Sequence, residues 1–387
     1  MPFYPPIKNK STREKARTAK GLLTLKDALQ NEIPAKTFEN LILATWNIRK
    51  FDSKRLDESL FYIAEIVSHF DLVAVQEVKD DLEGLNRLMK ILGKWWKVVF
   101  TDVTEGSLGN RERMAFVYDS RKVTFGGLAG EVVLPEVKVD GAIKSLQKQL
   151  ARTPFMVGFQ AGWYRFVLVT VHLIYGKGTA DPAERVAEAE KLSNFLAKRA
   201  DKETAWSNNM VLLGDFNIFK PTNDTFQKIA ANFYIPQELQ ALPSNVPQNK
   251  HYDQIAFRSP LKQEFLDAIA AGFPVKAGVF NFFEHVFTEE HEVEYISAMG
   301  ERYDANSKGE PRDEAGKSKY YKTHWRTHEL SDHLPMWIEI PTDRSERYLK
   351  GLVEESQVQP AARSLEAVPK TEKLKLEAIE QKYDGLS

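Results

Sequence analysis

The sequence predicts an α/β protein in which β-sheets are stacked on one another and helices lie outside them. In the first third of the chain, apolar runs typical of buried strands alternate with amphipathic helices, as in the strand 41–48, the helix 56–70 and the strand 71–77. Later strands are predicted to pair as hairpins, such as 155–160 with 163–173. Several strands end in polar side chains, so we expect these ends to cluster at one rim of the fold.

The composition is that of a soluble globular protein. The chain has 387 residues, of which 43% are hydrophobic and 28% charged, enough for a large core in one large or two ordinary domains. Its formal net charge of −1 means that the protein as a whole is not a basic nucleic-acid binder, so a polyanion would have to be held locally or through a metal. The absence of cysteine excludes disulfides, thiolate metal sites and cysteine nucleophiles.

Targeting and membrane signals are not visible in the sequence. The N-terminal segment is polar and charged and lacks the apolar region of a secretory signal. No apolar run approaches the roughly 18 residues of a membrane span. We therefore expect a cytoplasmic protein with no membrane partner, while its oligomeric state stays open.

The chain is predicted to have three parts. Residues 1–40 form an N-terminal helical extension, and residues 41–341 form the main domain. Within that domain, residues 281–330 are charged and aromatic and are predicted to be an irregular insertion. Residues 342–387 form a charged helical tail, rich in Glu and Lys.

Two helices carry clear start signals. Ser11 or Thr12 is predicted to cap the N-terminal helix, whose apolar residues recur at helical spacing as far as Leu29. Asp181 is predicted to cap the long helix that follows it, with Pro182 at the first helical position.

The stretch 210–217 combines a buried strand with two polar side chains. Four apolar residues precede Gly214, and Asp215 and Asn217 follow it. Side chains two residues apart on extended backbone point to the same side, so Asp215 and Asn217 would both project from the end of the strand into the same region. By itself the stretch is equally typical of a turn, because Gly, Asp and Asn are turn formers.

Other strands end in the same manner, which favours a site over a turn. The strand-end residues are Asn47, Glu77, His172, Asp215, Asn217, Asp332 and His333. Carboxylates and amides without cysteine suit Mg²⁺ or Mn²⁺, with Ca²⁺ as a further candidate, better than zinc. Two histidines beside such a cation offer a general base and a donor to a developing oxyanion. This chemistry fits metal-dependent hydrolysis of a phosphate ester.

The pattern resembles the endonuclease/exonuclease/phosphatase superfamily. Short matching stretches occur in the family's order across most of the chain. They are Thr45-Trp46-Asn47-Ile48-Arg49, Gln76-Glu77-Val78, Val171-His172, Gly214-Asp215-Phe216-Asn217, Tyr252-Asp253-Gln254-Ile255 and Ser331-Asp332-His333-Leu334-Pro335. The resemblance implies a four-layer α/β sandwich, in which two packed mixed β-sheets are flanked by helices. It also implies metal-dependent hydrolysis of phosphodiesters or phosphomonoesters.

The resemblance assigns the metal-binding part of the site to Glu77, with Asn47 and Asp332 nearby. It further implies that Asp215 orients the attacking water or holds a second ion. Asn217 would bind the scissile phosphate.

Both histidines receive roles from the resemblance as well. His333 would be the general base or a phosphate-binding imidazolium, with Asp253 fixing its tautomer. His172 would be the second catalytic histidine, supported by Glu112. From the residues alone, Asp253 could be a strand-edge acid, and Glu112 could pair with the arginine on either side of it. Five further histidines have no recognisable zinc spacing and are expected at the surface: His251, His285, His291, His324 and His328.

Two cations indicate a branch of the superfamily. Arg49 and Lys79 follow the first two motifs, as in the pancreatic-type deoxyribonucleases, where the resemblance implies contact with DNA. A cation beside the metal site would hold flanking phosphates. From the residues alone, Asp52 or Asp80 could be their surface partners. We expect a DNA endonuclease with nucleic acid as its substrate.

Two other functions remain open from the sequence. One is a phosphatase or phosphodiesterase acting on a small molecule or a lipid headgroup through the same residues. The other is a binding module without activity, although every position expected to carry chemistry is filled. Because residues 281–330 lie immediately before Asp332 and His333, we also expect this segment to border the site and restrict substrate choice.

Overall fold

The computed structural model describes residues 1–105, 109–139, 143–145, 148–202, 205–258 and 275–358. The chain divides into two compact units, Met1–Asp343 and Arg344–Ser387. One helix, Ser345–Val358, is described in the second unit, and the rest of the predicted tail lies outside the described residues. No helix in the described ranges combines the length and apolar character needed to cross a membrane.

The first unit contains both strands and helices. The strands are β1 (Asn40–Phe51), β2 (Leu72–Lys79), β3 (Trp96–Phe100), β4 (Glu112–Asp119), β5 (Val123–Glu131), β6 (Val137–Val139), β7 (Ile143–Ser145), β8 (Phe155–Ala161), β9 (Tyr164–His172), β10 (Met210–Asp215), β11 (Asp253–Arg258), β12 (Ala277–Val279) and β13 (Met336–Pro341). The helices are α1 (Thr12–Glu32), α2 (Asp57–Ser68), α3 (Glu83–Leu92), α4 (Ala183–Ala200), α5 (Asp224–Ala230), α6 (Gln237–Gln240), α7 (Glu292–Met299), α8 (Glu301–Asp304), α9 (Glu314–Tyr320) and α10 (Arg326–Glu329).

Most strands belong to two mixed sheets. The first has six strands in the order β12-β13-β1-β2-β4-β3, and only β1 and β2 are parallel. The second has five strands in the order β11-β10-β9-β8-β5, and only β9 and β10 are parallel. Parallel neighbours end at the same edge, whereas an antiparallel neighbour begins there. One edge of the first sheet therefore holds the ends of β1 and β2 and the starts of β4 and β13.

The packing explains why the strands are apolar along their length. In β1, Leu41 and Leu43 belong to a hydrophobic cluster that includes the second sheet, while Ile42 and Ala44 belong to a cluster that includes α2. Alternate side chains point to opposite faces, so both faces of the first sheet are buried. Helices α4 and α5 pack in the cluster of the second sheet. The structure confirms the predicted four-layer α/β sandwich of two packed mixed sheets flanked by helices.

The helix starts show one confirmed prediction and one correction. Ser11 caps α1 in a capping box with Glu14, whose backbone N–H donates to Ser11 Oγ at 3.3 Å. Asp181 does not cap α4, which begins after Pro182. Its carboxylate instead accepts hydrogen bonds from the backbone N–H groups of Asp224 and Thr225, each at 3.0 Å, and thereby caps α5. The tertiary fold places these donors, which are distant in sequence, within reach of Asp181.

Residues 281–330 are largely helical, contrary to the prediction of an irregular segment. Phe287, Tyr295 and Trp325 are buried in the cluster that also contains α1 and α2. The Tyr295 hydroxyl donates to Glu58 of α2 at 2.9 Å. Deleting the segment would expose this core, so its predicted influence on substrate choice must be tested by single substitutions.

Candidate active site

Strand register brings the predicted strand-end residues to one rim. In the first sheet, Lys79 at the end of β2 lies opposite Glu112 at the start of β4. In the second sheet, Asp215 at the end of β10 lies opposite His172 on one side and Asp253 on the other. Strand pairing fixes the backbone at these residues, so their side chains start from neighbouring points of the rim.

His333 is held by a buried carboxylate. Its Nδ1 lies 2.8 Å from Asp253 Oδ2, and both residues are buried. The Ser244 hydroxyl donates to the same Oδ2 at 2.8 Å and accepts from the Asp253 backbone N–H at 2.9 Å. Burial by itself lowers the pKa of His333, but the carboxylates of Asp253 and Asp215 outweigh it and raise this pKa well above its usual value. A protonated imidazole at neutral pH follows from this arrangement.

His172 is held by a second carboxylate. Its Nδ1 lies 3.0 Å from Glu112 Oε2, and Arg152 Nε lies 3.0 Å from the same oxygen. Lys79 Nζ donates to Glu112 Oε1 at 3.2 Å. Burial tends to raise the pKa of Glu112, but its contacts with His172, Arg152 and Lys79 lower it to about 2. The flanking arginines have other partners, Asp80 and Asp102, so Glu112 is not their surface counter-ion.

The lowered pKa of Glu112 leads to a prediction about stability. Glu112→Gln is expected to lower the free energy of unfolding by about 3 kcal/mol at pH 7 but by only about 1 kcal/mol near pH 3. Folding lowers the pKa of this carboxyl from its ordinary 4.5 to about 2. The ionised carboxylate therefore stabilises the folded protein fully at pH values above 4.5, and the stabilisation is lost as pH falls towards about 2. Urea unfolding at both pH values measures the difference. Glu39→Gln, at an exposed position, is the control, and equal losses at both pH values would contradict the prediction.

Asp215 lies between the two histidines. Its Oδ2 is 3.4 Å from His172 Nε2 and 3.7 Å from His333 Nε2. Its Oδ1 accepts the Asn217 backbone N–H at 2.8 Å, and Asn217 Nδ2 donates to the Leu173 carbonyl at 2.8 Å. Asn217 has a positive φ of 54°, in the left-handed region that asparagine adopts more readily than most other non-glycine residues. Both histidines thus direct their free nitrogen towards one carboxylate.

Asn47 connects this group to Glu77. Its Nδ2 donates to Glu77 Oε1 and to Asp215 Oδ2, both at 3.0 Å. Glu77 has a φ of 61°, and its Oε2 accepts the Lys50 backbone N–H at 2.8 Å. Asn47 Oδ1 is buried and has no hydrogen-bond partner among the residues that the structure describes. Because a buried oxygen normally has a partner, a cation bound beside Glu77 would satisfy it, and the oxygen donors fit a hard divalent ion.

Asp332 stands apart from this hydrogen-bonded group. Its side chain is 46% exposed. Within the described ranges its ion-pair partner is Arg49, whose Nε lies 3.7 Å from Asp332 Oδ2. Arg49 also donates from Nη1 to Thr327 Oγ1 at 2.5 Å. Lys79 is engaged inside the protein, since it donates to the Asn110 carbonyl as well as to Glu112. Of the two predicted substrate-binding cations, Arg49 is the more exposed, at 26% against 19% for Lys79.

Sequence reasoning missed several supporting residues. Arg152 and Ser244 lie in loops and carry no pattern that links them to Glu112 or Asp253. Gln76 was visible as a polar residue in an apolar strand. It donates to Thr45 Oγ1 at 3.1 Å and to Thr170 Oγ1 at 2.8 Å, and so bridges the two sheets beneath the rim.

The clustering of metal-capable groups agrees with this geometry. Among the described residues, two sets of side chains each bring three ligand atoms within 4.8 Å of one another. One set is Glu77, Glu112 and His172, and the other is Asp215, Asp253 and His333. The remaining histidines belong to neither set. His285, for example, pairs with Glu32 at 3.2 Å outside the rim.

The sandwich and its rim point to one class of protein. A family model described as the Endonuclease/Exonuclease/phosphatase family matches residues 44–231. Over these residues the chain is similar to that family. The matched region includes Glu77, Glu112, His172 and Asp215, whereas His333 is contributed by the chain beyond it.

Two curated relatives are deoxyribonucleases. "Deoxyribonuclease" of Thioalkalivibrio sp. (strain K90mix) is 30% identical over 207 residues, covering 51% of this chain and 52% of the relative. "Deoxyribonuclease-1" of Bos taurus is 27% identical over 189 residues, covering 46% and 61%. A solved endonuclease/exonuclease/phosphatase family protein from Bacteroides thetaiotaomicron has 17% identity and a TM-score of 0.48, covering 79% of this chain and 98% of that chain. The chain thus spans little more than half the length of the curated relatives.

Proposed function

We propose that the protein is a divalent-metal-dependent phosphodiesterase, and specifically an endonuclease that cleaves DNA. The observation that carries the proposal is the position of Asp215 between two imidazole Nε2 atoms, with a buried carboxylate behind each histidine. A carboxylate behind a histidine orients the ring and stabilises its charged form. The similarity to named deoxyribonucleases supports DNA as the substrate.

The residues of the rim divide the reaction between them. Asp215 accepts the proton of the attacking water and directs the water oxygen at phosphorus, opposite the leaving oxygen. The new P–O bond forms as the scissile P–O bond breaks, and the leaving oxygen takes up a proton from solvent. The His333 imidazolium hydrogen-bonds a phosphoryl oxygen, since its raised pKa keeps it charged at neutral pH. His172 faces the same carboxylate from the other side and can donate to a second oxygen. Asn217 is the proposed further contact to the phosphate.

Glu77 and Asn47 are the proposed ligands of the divalent ion, with Asp332 as a third. Mg²⁺ or Mn²⁺ is the proposed ion, with Ca²⁺ as a further candidate. When bound, such an ion neutralises charge on the phosphoryl oxygens. The structural support for this position is Asn47 Oδ1, which is buried and lacks a hydrogen-bond partner in the described part of the chain.

A plasmid-nicking assay with Mg²⁺, Mn²⁺, Ca²⁺ or EDTA tests the function. We expect supercoiled DNA to be converted to the nicked form with at least one of the cations and not with EDTA. The same samples are offered phosphorylated inositols and phospholipids. Hydrolysis of these compounds without nicking would replace the DNA assignment by the small-molecule alternative, and inactivity on all substrates would support a binding module.

Arg49 provides a prediction about substrate binding. Arg49→Gln is expected to raise the KM for DNA and to lower the slope of log KM against log salt by about one, because one phosphate contact is lost. The side chain is reachable, since it is 26% exposed beside Asp332. Arg87→Gln, which breaks an ion pair with Asp57, is the control. An unchanged salt slope in Arg49→Gln would remove Arg49 from the substrate-binding residues.

A further inference from the structure

An aromatic cluster with a lysine lies next to the candidate active site. The cluster consists of Tyr175, Phe219, Tyr252 and Lys250, and its three ring centroids are 5.9 to 6.1 Å apart. Lys250 Nζ lies 3.7 Å from the centroid of Phe219. It also donates to the hydroxyls of Tyr252 at 2.8 Å and Tyr175 at 3.3 Å. The ammonium is therefore fixed by ring faces and phenolic oxygens.

Each ring belongs to a residue within three positions of an active-site residue. Tyr175 follows His172 closely in sequence, Phe219 follows Asn217, and Tyr252 directly precedes Asp253. The Tyr252 ring stacks on the His333 imidazole, with centroids 5.2 Å apart and an interplanar angle of 27°. The aromatic cluster is thus continuous with the reacting end of the rim.

Exposure and charge show what the aromatic cluster could bind. Tyr175 is 42% exposed, so part of its ring is available to a ligand. Among the described residues, no carboxylate lies within ion-pair distance of Lys250. An aromatic face beside a fixed cation without an acidic partner is complementary to a flat ring that carries a phosphate. A core role alone would not require an exposed tyrosine and a lysine at this place.

We propose that the aromatic cluster is a subsite for an unpaired nucleotide that flanks the reacting phosphate. The base stacks on the exposed face of Tyr175, and Lys250 contacts the adjoining phosphate. Bases within a duplex are already stacked on their neighbours, so this subsite favours single-stranded or frayed DNA over intact duplex. The proposal rests on the proposed function, because it supplies the substrate preference of the same site.

Binding without cleavage is the direct test. The probe is a fluorescein-labelled single-stranded DNA of about 12 nucleotides, within the site sizes typical of such proteins. Its anisotropy is followed in EDTA, where no hydrolysis is expected. Tyr175→Ala and Tyr175→Leu should each weaken Kd by about 10-fold, whereas Tyr175→Phe, which keeps the ring, should stay within about two-fold of wild type. Lys250→Gln should lower the slope of log Kd against log salt by about 0.7.

Trp95→Ala is the matched control. Trp95 is 50% exposed and has Lys94 Nζ 4.9 Å from its ring centroid. Trp95 directly precedes β3, whose first residue, Trp96, pairs with Asp119. Asp119 is the last residue of β4 and Glu112 is its first, so Trp95 lies at the end of the sheet far from the candidate active site. Its substitution should leave Kd unchanged. The proposal is overturned if Tyr175→Leu binds as tightly as wild type, if Trp95→Ala weakens binding equally, or if wild type prefers duplex DNA of the same length.

The nicking assay separates this proposal from the proposed function. Loss of binding in Tyr175→Leu together with a wild type that cleaves no DNA would support the subsite and reject the endonuclease. Cleavage by wild type together with unchanged binding by Tyr175→Leu would support the endonuclease and reject the subsite.

Discussion

Replacing His333 with alanine is expected to lower kcat for plasmid nicking by about 10²–10³-fold, with a smaller effect on KM. The loss is large because the side chain supplies a charged donor that acts in the transition state. It also leaves Asp253 buried without its partner at 2.8 Å. Nicking rates at saturating Mg²⁺ measure the effect, and circular dichroism verifies that the variant is folded.

His285→Ala is the control for this variant. His285 also pairs with a carboxylate, Glu32 at 3.2 Å, but lies outside the rim. It should retain wild-type kcat. Equal activity of His333→Ala and wild type would show that the site is assigned wrongly.

The pH profile of wild type distinguishes the two roles that sequence allowed for His333. The structure raises the pKa of His333 through the nearby Asp253 and Asp215 carboxylates. An imidazolium donor loses its proton as pH rises through this raised pKa, so kcat should fall on the alkaline side. A neutral general base would instead lose activity as pH falls, and an acidic limb that disappears in His333→Ala would favour that role.

Glu77→Gln is expected to weaken binding of the activating cation and to lower kcat by about 10²–10³-fold at fixed Mg²⁺. The substitution keeps the size of the side chain but removes the charge beside Asn47, whose Nδ2 lies 3.0 Å from Glu77 Oε1. Isothermal titration with Mn²⁺ measures the affinity independently of catalysis. The activity should recover partly at higher cation concentration.

The control for Glu77 is Glu39→Gln. Glu39 is exposed and directly precedes β1, at the edge of the sheet opposite Asn47. It should bind Mn²⁺ and nick DNA like wild type. A Glu77→Gln variant with unchanged Mn²⁺ affinity would place the cation elsewhere.

Much of the fold could be predicted because its determinants are local. Apolar runs of strand length, amphipathic helical spacing and the start of α1 at Ser11 all depend on residues a few positions apart. The 281–330 segment could not be predicted in this way. Its aromatic residues are buried by α1 and α2, which lie far from it in sequence, so no local periodicity marks its helices as part of a core.

The candidate site shows the same division. The strand-end pattern predicted which residues reach the rim, including Asp215, His172 and His333. It could not predict that Arg152 supports Glu112, that Ser244 supports Asp253, or that Lys79 is engaged by Glu112. Lys79, Glu112 and Arg152 are distant from one another along the chain. Ser244 lies in a loop nine residues before Asp253, and the direction of a loop side chain follows from packing.

Asp215 illustrates what each level determined. The sequence by itself determined that a buried strand ends at this carboxylate, because strand periodicity and Gly214 are local properties. Only the tertiary structure decided that Asp215 faces His172 at 3.4 Å and His333 at 3.7 Å and accepts a hydrogen bond from Asn47. The physical reason is that strand order and register, which depend on the packing of the whole domain, set the distances between residues that are far apart in sequence.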